Sequence, residues 1–177
     1  EGLNSYWTLR YLENKYGENA KILEIPPWIE KIVPNPTFKS TRAYRYQFLA
    51  ARGLDAPVIS ALSNFVEPSM IFSTAYGKGS AVIDMLAHYI GDEKFAGIMK
   101  DYFQKYKFQN VMADDFIKIC QDESGKDLSW FFKAWLFGVG ACDYALVKNS
   151  EGLILEKRGK IAMPVETKLR FSDGSES

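Results

Sequence analysis

The residues Tyr76, Gly77, Lys78 and Gly79 stand directly before a run with helical spacing, and glycines beside a lysine raise the question of phosphate binding. A phosphate-binding loop needs the pattern G-x-x-x-x-G-K-[ST], in which glycine amides wrap the phosphates and a hydroxyl reaches magnesium. Here Phe72 stands where the first glycine belongs, and Gly79 stands in place of the hydroxyl residue. The spacing therefore argues against nucleotide binding.

Another interpretation of this segment comes from the residues alone. Gly77 and Gly79 can let two helices approach closely while Tyr76 fills the core, since aromatic side chains at helix starts mostly serve packing. Without further information, packing is the favoured interpretation.

The composition indicates a globular chain without the charge signature of a nucleic-acid-binding protein. Its 177 residues suit one domain, or one domain and part of a second. Lys+Arg and Asp+Glu are balanced at 22 each, so the sequence has no basic footprint for nucleic acid or for a membrane surface. No apolar run is long enough to cross a bilayer. We therefore expect a soluble chain whose partners are peptides or small molecules.

Metal-ligating residue types are scarce. The sole histidine is His88, so a site with two or three histidine ligands cannot be built from this sequence. Because His88 lies inside an apolar helical pattern, we interpret it as a satisfied or partly exposed helix residue. Cys120 and Cys142 have no metal-ligand spacing, and nothing about them indicates a disulfide.

Apolar spacing predicts a chain that is helical up to about residue 141. The first helix ends at Gly17, four prolines predict an ordered loop over 24–40, a helix follows over 41–53, and 56–66 is ambiguous. After Tyr76, short loops between helices indicate a helical bundle. The first of these helices has an apolar stripe of Val82, Met85, Leu86 and Tyr89 and stops at Gly91. Asp92 is the predicted N-cap of the second, whose stripe runs over 95–106. The third covers 114–124, and the fourth covers 128–137 with Asp127 as its predicted N-cap.

From Asp143 onward the apolar period changes from that of a helix to that of a strand. Apolar and charged residues alternate strictly over 165–171, the two-residue repeat of a half-buried strand. Two further strands are predicted over 143–148 and 153–158, joined by the turn-prone sequence NSEG. The predicted fold class is mainly α, a helical bundle followed by a short β segment.

Three segments, in order, resemble motifs of the M1 family of zinc metallopeptidases, the gluzincin aminopeptidases. EGLNSYWTLRYLENKYG is similar to the family's N-E-G-F-A-x-Y stretch, with Leu3 and Asn4 at positions where Phe and Ala are usual. AYGKGSAVIDML resembles its Y-x-K-G segment, and SGKDLSWFFKAWLFGVG resembles its later helical signature. The resemblance implies the helical C-terminal subdomain of a thermolysin-like catalytic domain over 1–141 and the first strands of a β-sandwich-like domain over 142–177.

The same resemblance implies roles for two residues. Glu1 matches the glutamate that is the third zinc ligand of the family, beside two histidines of an H-E-x-x-H helix. Tyr76 matches the tyrosine whose hydroxyl donates to the oxyanion of the tetrahedral intermediate, and Lys78 and Gly79 then become parts of a turn that aims it. A terminal glutamate can equally be an exposed, frayed residue.

The H-E-x-x-H helix and the family's G-x-M-E-N loop are absent from the sequence. The resemblance therefore implies a fragment that is inactive alone, binds no zinc by itself, and pairs with the upstream half of the catalytic domain. Its exposed apolar face would promote self-association. Larger family members are often extracytoplasmic or membrane-tethered, and the residues do not specify a compartment.

Two alternatives come from other functional classes. The chain can be a non-catalytic module that binds a partner peptide in an aromatic groove, or a scaffold without a ligand whose aromatic residues form a closed core. An H-E-x-x-H motif upstream of Glu1 in the gene would favour the peptidase. A closed, packed interior around Tyr76 would favour the scaffold.

Overall fold

The structure is a computed structural model that describes residues 1–150, 152–170 and 174, with the backbone alone at 42 and 45. The chain divides into two compact units, Glu1–Val139 and Gly140–Ser177. The first unit is helical, and the second contains a two-stranded antiparallel sheet. The predicted fold class, mainly α with a short β segment, is therefore confirmed.

The first unit consists of α-helices, one 3-10 turn and one π-helical segment. The α-helices are α1 (Gly2–Tyr16), α2 (Pro27–Glu30), α3 (Phe38–Ala51), α4 (Pro68–Ile71), α5 (Gly79–Ile90), α6 (Asp92–Tyr106), α7 (Ala113–Ser124) and α8 (Ser129–Trp135). The 3-10 turn covers Leu62–Asn64 in the ambiguous segment, and the π-helical segment Phe72–Lys78 joins α4 to α5. None of the described helices is both long and apolar enough to cross a membrane.

Several helix ends follow directly from local sequence. Gly17 ends α1 with φ 94°, a backbone conformation that glycine adopts at low cost. The Thr37 hydroxyl accepts the Ser40 N–H at 3.1 Å, so α3 begins at Phe38, earlier than predicted. At the start of α8, Asp127 accepts the Ser129 N–H at 2.9 Å, and its hydrogen bonds with that residue lower the pKa of Asp127. The N-cap position itself is held by Leu128, so the predicted N-cap at Asp127 is one residue too early, although the Asp127 side chain does accept an N–H at the helix start.

The predicted N-cap at Asp92 is wrong. Gly91 occupies the N-cap position, and Asp92 is the first residue of α6. Its carboxylate instead accepts a hydrogen bond from the Arg10 guanidinium of α1 at 3.0 Å. A charge-assisted contact between two helices has therefore taken the place of a local cap.

Helix α5 packs against α1, α3, α6 and the π-helical segment. Helices α1 and α6 also contact each other directly, since the ring of Tyr6 in α1 lies edge-on to that of Phe95 in α6, with ring centroids 5.8 Å apart. Met85 and Tyr89, predicted on the buried stripe of α5, are only partly buried. The buried apolar residues of α5 are Val82, Ile83, Leu86, Ala87 and Ile90, and those of α6 to α8 include Phe95, Ile98, Phe116, Ile119, Phe131 and Phe132.

The second unit contains the predicted hairpin. Strand β1 (Tyr144–Asn149) pairs antiparallel with β2 (Gly152–Lys157), in a register that places Tyr144 opposite Lys157. The Gly152 N–H donates to the Asn149 side chain at 3.0 Å and closes the turn. The hairpin predicted from two strand candidates joined by NSEG is confirmed.

The third predicted strand does not form in the described part of the chain. Residues 162–169 have no regular secondary structure, and Phe171 lies outside the described residues. A strand requires a neighbouring backbone for its hydrogen bonds. Residues 165–169 therefore form no strand despite their alternation, while Arg170 takes part in an isolated β-bridge.

Candidate active site

Tyr76 lies on a π-helical segment and not on a turn, so the predicted turn is wrong. The N–H of Gly79 points to the carbonyl of Thr74, five residues earlier, which is the hydrogen bond that defines a π-helix. Such segments are rare, occur mostly as single turns within α-helices, and are frequent at functional sites. The family resemblance implied a turn at Lys78 and Gly79, but the backbone runs through both residues as continuous helix into α5.

The Tyr76 side chain is not part of the core. It is 36% exposed, and its nearest aromatic neighbour is Phe72, one turn earlier, with ring centroids 5.5 Å apart. The interpretation in which Tyr76 fills the core is therefore wrong. The Tyr76 hydroxyl is therefore on an exposed ring that a ligand can reach, while Ser73, Thr74, Gly77 and Lys78 of the same segment are buried.

Gly79 is the point at which α1 crosses the start of α5. A Cβ added to Gly2 would lie 2.8 Å from the carbonyl carbon of Gly79, and one added to Gly79 would lie 3.0 Å from Cα of Gly2. Such distances exclude or strain any larger residue, so the two backbones touch only because both residues are glycine. The predicted close helix approach is confirmed for Gly79.

This crossing determines where Glu1 lies. Glu1 immediately precedes Gly2, and its carbonyl accepts the Ser5 N–H at 2.9 Å, so its backbone belongs to the first turn of α1. Its side chain is exposed and does not cap the helix. The two residues that the family resemblance selects therefore sit on two helices that are in backbone contact, Glu1 next to Gly2 and Tyr76 three residues before Gly79.

Lys78 is completely buried, which the sequence did not indicate. Its ammonium group lies 2.9 Å and 3.1 Å from the two carboxylate oxygens of Asp55. Burial lowers the pKa of Lys78, and the hydrogen bond and charge of Asp55 oppose that shift. Buried lysines are rare unless they are paired, and no local pattern around Lys78 marks Asp55 as its partner.

The described residues do not by themselves provide a metal site. Among them, no three His, Cys, Asp or Glu side chains are grouped so that they could hold a metal ion. The His88 side chain is 59% exposed, and its Nδ1 lies 2.8 Å from the Asp84 carbonyl, as expected for a partly exposed helix residue. Cys120 is buried and Cys142 is exposed, and both are free thiols.

An apolar groove lies between α1 and α6. It has a volume of about 530 Å³, and one wall begins at Leu3, two residues after Glu1. The exposed fractions of Trp7 and Phe103 are 41% and 63%, so large aromatic surfaces are left uncovered here. Other residues that line the groove include Met99, Tyr102 and Tyr106. The aromatic content of the sequence indicated such a surface but not its position.

Comparisons with known proteins agree with the resemblance. The model of the Peptidase family M1 domain matches residues 1–135. Aminopeptidase N of Lactococcus lactis subsp. lactis is 39% identical over 72 residues, which are 40% of this chain and 8% of that protein. Aminopeptidase N of Streptomyces lividans is 31% identical over 117 residues, which are 64% of this chain and 13% of that protein.

A third relative is the alanine/arginine aminopeptidase of Saccharomyces cerevisiae, 31% identical over 85 residues, which are 48% of this chain and 10% of that protein. The chain thus spans only 8% to 13% of the length of these three relatives. The family match covers the whole path from Glu1 through Tyr76 to α8. On this evidence the chain belongs to peptidase family M1.

Proposed function

We propose that this chain is the C-terminal part of the catalytic domain of a zinc aminopeptidase, which in the complete protein hydrolyses peptide bonds at the N-terminus of a peptide. The observation that supports this most is the Gly2–Gly79 crossing, because it brings the helix that begins at Glu1 against the segment that carries Tyr76. The relatives named above are themselves called aminopeptidases. In this proposal, residues 1–141 form the helical part of the domain and residues 142–177 begin the next one.

Glu1 and Tyr76 have distinct roles in this proposal. A zinc ion bound in the complete protein would act as a Lewis acid and would activate a water molecule. The Glu1 carboxylate would supply one ligand, a role that suits an exposed carboxylate at the start of a helix. The Tyr76 hydroxyl would donate a hydrogen bond to the oxygen that becomes negatively charged when the peptide carbonyl is attacked. Such a donor contributes most where charge develops in the transition state.

The chain alone lacks the other parts of such a site. It has one histidine, and that residue contacts Asp84 on the side of α5 that faces solvent. The remaining ligands and the general base would come from the upstream half of the domain. We therefore expect the isolated chain to be inactive and not to bind zinc as the complete protein does. The apolar groove that begins at Leu3 would be covered by that upstream half, and when uncovered would promote self-association.

A second candidate is a non-catalytic module that binds a peptide. The groove itself favours it, because about 530 Å³ of mostly apolar space falls within the range of ligand sites. The gene distinguishes the two candidates. If the sequence upstream of Glu1 encodes H-E-x-x-H, the peptidase is favoured, and if that motif is missing, the binding module replaces it.

The experiment for Tyr76 is a Tyr76→Phe substitution in the complete protein, assayed with an aminoacyl substrate. We expect kcat to fall by about 10²-fold or more, because one oxyanion donor is lost. Zinc content should be unchanged, since Tyr76 is not a ligand. Tyr11→Phe is the matched control, because Tyr11 is an exposed tyrosine of α1. Turnover that is equal in both variants would overturn the role of Tyr76.

A further inference from the structure

Lys78 occupies a polar site that is closed to solvent. Besides the two Asp55 oxygens, its Nζ atom lies 3.0 Å from the Ala56 carbonyl and 3.1 Å from the Gly138 carbonyl. An ammonium group has three donors. Four acceptor atoms within hydrogen-bond distance therefore leave no donor of Lys78 unused, and the exposure of its side chain is 0%.

These contacts join segments that are far apart in the chain. Asp55 and Ala56 lie in the loop after α3, more than 20 residues before Lys78, and Gly138 follows α8, 60 residues after it. The ammonium group also lies 5.7 Å from the centre of the Tyr46 ring of α3. The side chain of Lys78 thus ties the π-helical segment to α3, to the following loop and to the end of the helical unit.

Lys78 and Tyr76 face opposite sides of the same segment. Residues two positions apart on a helix point in nearly opposite directions, about 200° apart for the α-helical repeat. Accordingly Lys78 is fully buried while Tyr76 is 36% exposed. Any rotation of the segment about its axis that moved Lys78 would move the Tyr76 hydroxyl by a similar angle. The directional hydrogen bonds of Lys78 therefore restrict the direction in which Tyr76 points.

Stability alone does not explain a lysine at this position. Replacing a buried ion pair by apolar residues is often neutral or stabilising, because two charges must be removed from water. The lowered pKa of Lys78 has the same origin, since burial disfavours its charged form. An apolar side chain would fill the space but would not fix the segment in rotation, because apolar contacts are not directional.

We propose that Lys78, held by Asp55 and by the Ala56 and Gly138 carbonyls, is a positioning residue that fixes the rotation of the π-helical segment and so aims the Tyr76 hydroxyl. This proposal rests on the proposed function of Tyr76. Lys78 does not touch the substrate. It acts through Tyr76, which distinguishes it from a residue that only contributes to folding.

The test uses the double substitution Lys78→Met with Asp55→Asn in the complete protein, which removes both charges together. We expect kcat to fall by about tenfold or more with KM changed by less than about threefold, because a displacement of about 1 Å can cost up to 10²-fold. Adding Tyr76→Phe should then lower kcat by clearly less than the loss of about 10²-fold that it causes alone, since a misaimed hydroxyl has less left to lose. A full further loss from Tyr76→Phe, or an unchanged kcat, would overturn the proposal.

Hydrogen–deuterium exchange separates this proposal from that for Tyr76. In the same variant, amides of 72–79 should exchange about tenfold faster or more, while those of α6 stay unchanged. If Tyr76→Phe alone leaves kcat intact, the proposed role of Tyr76 is wrong, and the amide exchange rates over 72–79 in the double variant then decide whether Lys78 holds the segment. Unchanged exchange rates over 72–79 would overturn the proposal for Lys78.

Two further variants complete the experiment. Lys94→Met is the control, because Lys94 donates to the Ser124 carbonyl at 2.7 Å and so joins α6 to α7 away from Tyr76. We expect Lys94→Met to leave kcat and the amide exchange rates over 72–79 unchanged. If Lys94→Met changed them as much as the double variant does, a specific role for Lys78 would be contradicted. If the double variant does not fold, Asp55→Asn alone is the variant to test, because it keeps the carbonyl contacts of Lys78. It should also lower kcat with little change in KM, and an unchanged kcat would overturn the proposal.

Discussion

Helix α5 and strand β2 differ most clearly in what surrounds them. Seven of the twelve residues of α5 are buried, whereas all six residues of β2 are exposed. Helix α5 is therefore held by packing against α1 and α6, while β2 is held by its backbone pairing with β1 and by a short turn. A two-stranded hairpin of this kind is marginally stable by itself. Sensitivity to substitution should accordingly concentrate around α5, the helix next to the candidate site.

The largest expected difference in stability is between alanine substitutions at two leucines. Leu86 in α5 is completely buried, whereas Leu153 in β2 is 59% exposed. Leu86→Ala should lower the free energy of unfolding by about 2–5 kcal/mol, because it removes buried methyl groups and leaves a cavity. Leu153→Ala should change it by no more than about 0.5 kcal/mol, as for most surface substitutions. Chemical denaturation of both variants measures this, and equal losses would refute the contrast between the two regions.

The accuracy of sequence-based prediction follows the same contrast between local and distant determinants. The hairpin and the C-terminal end of α1 were predicted correctly because the turn-prone NSEG and Gly17 act within a few residues, whereas α8 is shorter at both ends than predicted. The π-helical segment was predicted as a turn, since no periodicity marks an i to i+5 hydrogen bond. The burial of Lys78 was missed because its partners lie more than 20 residues away in the chain.

The candidate site shows the same limit. The family resemblance selected Glu1 and Tyr76, but the contact that joins their helices depends on Gly2 and Gly79, which are distant in the sequence. Each glycine alone is compatible with a turn, a cap or a packing contact. Only the pairing of two helices reveals which of these is correct. The third strand was predicted over 165–171; of that range, residues 165–169 form no strand in the structure, because alternation by itself does not supply the neighbouring backbone that a ladder needs.

A smaller difference in stability is expected between alanine substitutions at two glycines within helices of the first unit. Gly79 touches Gly2, whereas a Cβ on Gly97 in α6 would meet nothing within 4 Å. Gly79→Ala should lower the free energy of unfolding by about 1–3 kcal/mol, because the added methyl group forces α1 and α5 apart. Gly97→Ala should raise it by about 0.5–1 kcal/mol, because alanine is the better helix former. Thermal denaturation gives both signs, and stabilisation by both variants would show that the crossing is not tight.

The last comparison concerns the reactivity of the two cysteines, one in each unit. Cys120 is fully buried in α7, and burial raises its pKa to about 12, while Cys142 is exposed. Thiol alkylation requires an accessible thiolate. At about pH 8 we therefore expect Cys142 to be alkylated at least about 100-fold faster than Cys120, whose reaction should await opening of the helical unit. Mass spectrometry of the labelled peptides measures both rates, with Cys142→Ser as the control that isolates Cys120.

The pH dependence follows from the same burial. Between the ordinary pKa of 9.0 and the folded value of about 12, the unfolded chain releases a Cys120 proton that the folded chain keeps. The contribution of this thiol to stability is therefore complete below pH 9 and falls as the pH rises through that window. As the pH rises above 9, the free energy of unfolding should fall less steeply in Cys120→Ala than in the unchanged chain. In Cys142→Ala it should fall almost as steeply as in the unchanged chain. Rapid labelling of Cys120 in the folded chain would mean that the interior around α7 is open, and the contrast between the helical unit and the hairpin would then lose its physical basis.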